Sequence, residues 1–269
     1  MMIETAINTI SIYKIKSNNT STFQQNHLIL LKTIKKDVCV YINKLNGSKY
    51  VCKTSQNSTM RNEIDILNIC RGCPFIIDDW YSYIVNNDQR IMIPFFEYGD
   101  LYEVCSTKKQ ILSSQIRRIS QQVLQALQYM HQRSIIHRDI KPANIVLTNN
   151  SCYFDVKVID FGLAVMYDEN SPPTDRVGTP NYAAPEICKR LPQSPKCDIW
   201  SFGMTIYAIT TLTVPILRRC DFDISSISYE NHRHFTNNPI LVDFLRSIFK
   251  LNSAERPSAK DLLKHSWVK

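Results

Sequence analysis

The stretch that most constrains this chain is His137-Arg-Asp-Ile-Lys-Pro-Ala-Asn144, near the middle of its 269 residues. It sets His, Arg, Asp, Lys and Asn side by side where an ordinary loop carries Gly, Ser and Pro. Downstream, an apolar run ends in Asp160-Phe161-Gly162. Two carboxylates, an ammonium and an amide are what a reaction at a metal–phosphate group needs. They supply a proton acceptor, charge neutralisation and oxygen ligands for a hard cation.

Composition removes several other classes. A hydrophobic fraction of 44% is enough for a buried core. No apolar run reaches the roughly 18 residues that read as a membrane span, so no membrane role is expected. The N-terminus, MMIETAINTI, has neither a basic start nor a long apolar stretch, so no secretory leader is expected and the compartment reads as intracellular and reducing. The net charge of +8 would suit nucleic acid, but the basic residues fall in scattered pairs such as Lys35-Lys36, Lys108-Lys109 and Arg117-Arg118. A nucleic-acid binder clusters them, and no direct nucleic-acid contact is expected. Nine cysteines, an odd number, do not make a disulfide framework. Cys70 and Cys73 have CxxC spacing without a second pair, and read as structural rather than as a metal or redox site.

Taken in order, Ile3, Ala6, Ile7, Ile10 and Tyr13 have helical spacing. A helix there would pack on its own first lobe or on a second copy. Residues 17–26 read as a polar loop. Strands are expected at 27–33, 38–43 and 49–53, with Asn46-Gly47 as a hairpin turn. A helix capped by Ser58 or Thr59 should run to Arg71 and stop at Gly72 and Pro74. Further strands are expected at 75–85 and 90–95 around a polar tip. Residues 113–133 repeat Ile116, Ile119, Val123, Leu127 and Met130 at helical spacing. Helices close the chain from Ile240 onwards.

The HRDIKPAN and DFG motifs, in this order and spacing, resemble the signature set of eukaryotic-type protein kinases of the Ser/Thr class. The resemblance covers residues 27–269. It implies an α+β, bilobal protein-kinase fold with a small β-rich N-lobe (27–93), a hinge (94–98) and a larger helical C-lobe (99–269), after an N-terminal extension (1–26). It implies γ-phosphoryl transfer from ATP, with Mg²⁺, to a protein Ser or Thr. Asp139 would be the catalytic base and Lys141 the partner of the γ-phosphate. Asn144 and Asp160 would hold the metal. Lys53 would hold the α- and β-phosphates and pair with Glu63. Val51, Ile93, Phe96, Asp100 and Val146 would line the nucleotide, with Ile93 as gatekeeper and Asp100 near the ribose or the substrate. Pro94 lacks an N–H, so other backbone groups, such as those of Phe96, must meet the adenine edge. Leu67, His137 and Phe161 would form a spine.

The resemblance extends to the segment after Phe161. Thr179 would bond the catalytic Asp and Lys, Glu186 would pair with Arg256, and Asp198 would tie the catalytic loop from below. Arg138 would meet the activation segment, where Asp175 stands at the usual phosphothreonine position. A carboxylate there can partly replace a phosphate, so no activating phosphorylation is expected; Thr174 or Ser171 would be the sites otherwise.

One motif is missing. The glycine-rich phosphate cover should lie between Leu31 and Val40, but LKTIKKDVCV holds no glycine. Backbone then approaches phosphate less closely, and Lys32, Lys35 and Lys36 would supply charge instead. The same loss suits a pseudokinase or scaffold, the alternative reading. The compact size, the abundant Asn and Ile and the glycine-free loop resemble viral kinases: the late-phase kinase of baculoviruses first, with those of poxviruses or other large DNA viruses close behind. The baculovirus resemblance implies an Arg-rich DNA-condensing substrate and a host-nuclear or virion setting. Ala143 and Asn181, where acids often recognise basic substrates, are uncharged. A homodimer through the N-terminal segment or the N-lobe is the other partner expectation.

Overall fold

The computed structural model describes residues 27–55, 58–85, 88–107, 110–149, 154–213, 227, 229, 235 and 237–269. The expected helix and loop of residues 1–26 lie outside them. The described chain forms two compact units. One holds the described residues up to Ile64, together with Asp79–Phe95; the other holds Asp65–Asp78 and Phe96–Lys269.

The first unit is a five-stranded antiparallel sheet: β1 (Leu28–Lys35), β2 (Val38–Asn43), β3 (Lys49–Ser55), β4 (Tyr81–Val85) and β5 (Asp88–Pro94), in the order β1-β2-β3-β5-β4. Gly47 closes the β2–β3 hairpin at φ +72°, a conformation that disfavours a β-carbon. Side chains alternate along a strand. Cys52 and Met92, paired across β3 and β5, therefore join Tyr83 and Val85 in the core on one face. Val51, Lys53, Ile91 and Ile93 fall on the other. Helix α1 (Ser58–Ile69) begins in this unit and buries Met60, Glu63 and Ile64.

Two expectations are corrected here. Strand β1 runs on to Lys35 and carries register shifts between Leu30 and Lys32 and between Thr33 and Lys35. Each bulge adds a residue and increases local twist. Ile29, Leu30, Leu31 and Ile34 are all exposed. Residues 75–80 add no strand to this sheet. Ile76, Ile77 and Trp80 are buried without alternation, and Ile76 forms a parallel bridge to Val158. Asp65–Asp78 are part of the second unit. Tyr129 Oη also donates to Arg71 O at 2.7 Å there.

The second unit is mainly helical. It contains α2 (Leu101–Ser106), α3 (Ser113–His131), α4 (Pro185–Cys188), α5 (Lys196–Thr211), α6 (Pro239–Ile248) and α7 (Ala259–Leu262), with two small antiparallel pairs. These pairs join β6 (Ile135–Ile136) to β9 (Val165–Met166) and β7 (Ile145–Leu147) to β8 (Val156–Val158). Helix α3 buries the periodic face read from the sequence. Helix α5 is buried all round, from Cys197 to Thr210, as suits a helix apolar on every face. It forms the frame on which the polar loops are hung. The C-terminus closes on α3, where Trp267 Nε1 donates to Ser120 Oγ at 3.3 Å.

Candidate active site

Asp198, in the first turn of α5, is completely buried and faces His131 at the end of α3 and the loop after β6. Its Oδ2 accepts from His137 N–H at 2.9 Å and lies 2.9 Å from His131 Nε2; its Oδ1 accepts from Arg138 N–H at 2.8 Å. Burial alone would raise its pKa. The His131 hydrogen bond and the nearby His131 and His137 outweigh that, and its carboxyl is held below the usual value. One buried carboxylate thus fixes two successive backbone amides. That arrangement holds Arg138 in the left-handed region, φ +65°, which costs a non-glycine residue about 1–3 kcal/mol and is found at functional sites. His131 carries no signal in the sequence, because a His at the end of a helix reads as an ordinary cap.

On that frame Asp139 is the hub. Its Oδ2 accepts from Lys141 Nζ at 2.7 Å and from Asn144 Nδ2 at 3.0 Å. Its Oδ1 accepts from Thr179 N–H at 3.0 Å and Thr179 Oγ1–H at 2.7 Å. Lys141 Nζ donates also to Thr179 Oγ1 at 2.6 Å. His137 Nδ1 accepts from Asp139 N–H at 3.3 Å while Nε2 faces Ile159 O at 3.2 Å. This pattern assigns the proton to Nε2. The His137 ring meets Phe161 edge-on at 4.9 Å, and Leu67 is also buried.

Asn144 is 5% exposed. Its amide nitrogen is engaged by Asp139 O at 2.8 Å and by Asp139 Oδ2, which leaves Oδ1 as its oxygen donor. Asp160 supplies a carboxylate from a left-handed residue, φ +62°. An amide oxygen and a carboxylate are the hard donors that Mg²⁺ takes, so these residues fit that ion.

The segment after Phe161 is tied to the same loop. Arg138 Nη1 donates to Asp175 Oδ1 at 2.5 Å and its Nε to Leu163 O at 2.8 Å. Gln193 Nε2 holds Asp175 O at 2.6 Å, and Gln193 N–H donates to Pro173 O at 2.9 Å. Gln193 is buried and was not picked out from the sequence, where LPQSP reads only as loop. Gly178 was also missed. A Cβ there would stand 2.6 Å from Arg138 O, and its φ is +86°. A glycine directly before Thr179 was the available signal. Below this segment Glu186 and Arg256 form a buried two-pronged pair, Nη1–Oε1 2.6 Å and Nη2–Oε2 2.8 Å. Arg256 also donates to Lys250 O, Lys196 O and Leu251 O.

Asp100 Oδ1 accepts from Glu103 N–H at 2.8 Å and caps α2. The oxygen expected near ribose or substrate is thus engaged locally, and burial raises its pKa. Val146 is buried in β7 and Phe96 is half-buried. In the first unit, Lys53 Nζ lies 2.9 Å from Glu63 Oε2, and Val51 faces Ile93 across β3 and β5. Phe95 N–H is taken by Lys49 O at 2.9 Å. The β1–β2 hairpin closes through Lys36-Asp37 alone, with Val38 opposite Lys53 on the neighbouring strand. Lys32, Lys35 and Lys36 are exposed.

Every cysteine among the described residues is a free thiol. Burial pushes Cys70 up to about 12, which suits a structural role for the CxxC pair. Among the described residues no helix is long and apolar enough to cross a membrane.

Residues 28–268 match the family described as "Protein kinase domain", and the chain belongs to it. It is 27% identical over 252 residues to Serine/threonine-protein kinase 17A of Oryctolagus cuniculus, covering 89% of this chain and 62% of that protein. It is 28% identical to Calcium-dependent protein kinase 4 of Plasmodium falciparum, covering 85% and 44% of the two chains. It is 30% identical to Carbon catabolite-derepressing protein kinase of Candida glabrata, over 84% and 37%. The match spans between 37% and 62% of the length of these relatives.

Proposed function

We propose that this chain transfers the γ-phosphoryl group of ATP to a Ser or Thr hydroxyl of a protein. The observation that carries the reading is the closed set of hydrogen bonds joining Asp139, Lys141, Asn144 and Thr179. A carboxylate has about four acceptor sites, and all four on Asp139 are filled. A substrate hydroxyl must displace one donor. Lys141 is the mobile one, with a side chain 21% exposed. Its move to the γ-phosphate opens Oδ2 to the incoming hydroxyl proton, so that one step both sets the base and neutralises charge. Thr179 remains on Oδ1 and keeps the carboxylate aligned.

Asn144 Oδ1 and Asp160 would hold Mg²⁺, which when bound offsets phosphate charge. Lys53, kept in place by Glu63, is assigned to the α- and β-phosphates. Val51, Ile93 and Val146 are assigned to the adenine. Phe96 is assigned to its edge, since Pro94 has no N–H and that of Phe95 is engaged. The Arg138–Asp175 pair supports activity without activating phosphorylation: the carboxylate stands where a phosphate would otherwise gather the segment.

A second reading, a scaffold that transfers no phosphate, is favoured by the two-residue β1–β2 turn without glycine. Incubation with Mg-ATP and a basic and an acidic protein, with Asp139→Asn as control, separates the two. Label in both substrates that persists in the variant would end the kinase reading. A finer reading, a viral kinase acting on an Arg-rich DNA-condensing protein, rests on the composition and the glycine-free hairpin. Failure to label such a protein at a rate above a neutral one would end it.

A further inference from the structure

Beside the catalytic loop is a pocket that phosphoryl transfer does not use. Its volume is 220 Å³, and its walls include Tyr102 and Cys105 of α2, Pro142, Tyr182, and Ala208 and Leu212 at the end of α5. Pro142 directly follows Lys141. Tyr182 N–H donates to Thr179 O at 3.1 Å. The walls are therefore continuous with the residues that hold Asp139.

Among the described lining residues none has an acidic or basic side chain. Burial pushes the Tyr182 phenol up to about 12 and the Cys105 thiol up to about 11, so both groups are neutral near pH 7. Asp100 is the carboxylate that acts on the Cys105 thiol of this wall, and its Oδ1 is engaged in capping α2. Ala143, next to Pro142, brings no charge either. Tyr102 is 61% exposed, an aromatic surface that a bound chain would cover.

The pocket is smaller than the roughly 300–1,000 Å³ of a small-molecule site. It is sized for one or two side chains. Pro142 lies three residues from Asp139, so their Cα atoms are no more than about 11 Å apart. An extended substrate spans that distance in about three residues.

We propose that this pocket is a specificity subsite that takes an aliphatic side chain, Leu, Ile or Met, of the substrate polypeptide within about three residues of the acceptor hydroxyl. The proposal rests on the kinase reading above. A basic side chain entering the pocket would lose water and gain no carboxylate. An acidic one would lose water and approach Asp100. Ala208 leaves the space that the substrate side chain fills.

The test is a panel of peptides with a single Ser or Thr and with Leu, Ala, Arg or Glu placed in turn at each of the three positions on either side. Each peptide is measured for phosphorylation from Mg-ATP and, separately, for equilibrium binding by fluorescence anisotropy. At one position Leu should exceed Arg and Glu about tenfold or more in both kcat/KM and affinity. Ala208→Phe, which fills the pocket, should remove that preference. Ser106→Glu, at the exposed rim, should move it toward Arg. Equal binding of the Leu, Arg and Glu peptides at every position overturns the subsite, whether or not the two variants fold. Leu-selective binding with no phosphorylation of any peptide keeps the subsite and overturns the kinase reading.

Discussion

In the catalytic loop, Asp139 is 8% exposed and accepts from Lys141, Asn144 and Thr179. The backbone on its N-terminal side is fixed by a fully buried carboxylate, Asp198. In the β1–β2 hairpin, Lys32, Lys35 and Lys36 are exposed and the turn is two residues without glycine. Both regions deal with phosphate chemistry in the family. The first is a network in which both oxygens of Asp139 have named partners. The second is a strand at the sheet edge with exposed charges on it. On the proposed kinase reading, the contrast separates positioning of the reacting groups from grip on the nucleotide. This chain has invested its buried polar groups in the first.

The sharpest way to break that comparison is to open the frame beneath the loop. Arg256→Ala leaves Glu186 buried without its two-pronged partner. Loss of one member of a buried pair costs about 3–5 kcal/mol. Urea unfolding should show a lower midpoint with little change in slope. A loss under 1 kcal/mol would mean that the segment is held by other contacts.

Acid should come next. The pKa of Asp198 is depressed in the folded state, so its contribution is present above the unfolded value, near 3.8, and is lost as pH falls through the lower folded value. Stability of the wild type should therefore drop as pH falls below about 4. Asp198→Asn should lack that portion of the drop. Parallel stability curves for the two proteins would show that the buried carboxylate is not what fixes the loop.

Asp175→Ala tests the link between loop and segment. The Asp175 side chain is 53% exposed, which screens the pair, so an effect of about 1 kcal/mol is expected, roughly a fivefold fall in kcat/KM. Phosphatase-treated wild type should keep full activity. Unchanged activity in the variant would remove Asp175 as a stand-in for phosphate.

The smallest effect concerns the hairpin. Replacing Lys32, Lys35 and Lys36 together by Ala should raise the KM for ATP several-fold and leave kcat nearly unchanged, since each exposed charge contributes about 0.2–1 kcal/mol. A KM identical to wild type would show that these lysines do not meet the phosphates.

The fold class was legible because motif order is topological. Lys53, Glu63, the HRDIKPAN loop, DFG and Glu186 occur in one sequence, and few folds need that order. The pairs Lys53–Glu63 and Glu186–Arg256 were legible for the same reason. Other features depend on contacts that no local pattern records. Residues 75–80 look like a strand, yet their consecutive buried residues dock on Val158. That Asp100 also caps the helix after it depends on where that helix starts. The roles of His131 and Gln193 arise from partners far along the chain, Asp198 and Asp175. The bulges of β1 follow from how LILLKTIK pairs with VCVYIN, which alternation alone does not specify.

The most direct test is steady-state transfer from Mg-ATP to a protein substrate, with kcat and the KM for ATP resolved separately in wild type and Asp139→Asn. An intact loop together with a reduced hairpin predicts a wild-type kcat of about 1–100 s⁻¹, a KM for ATP above the usual range of about 1 μM–1 mM, and a fall in kcat of about 10²–10⁴-fold in the variant. Wild-type protein that binds ATP but transfers no more phosphate than Asp139→Asn would contradict the account.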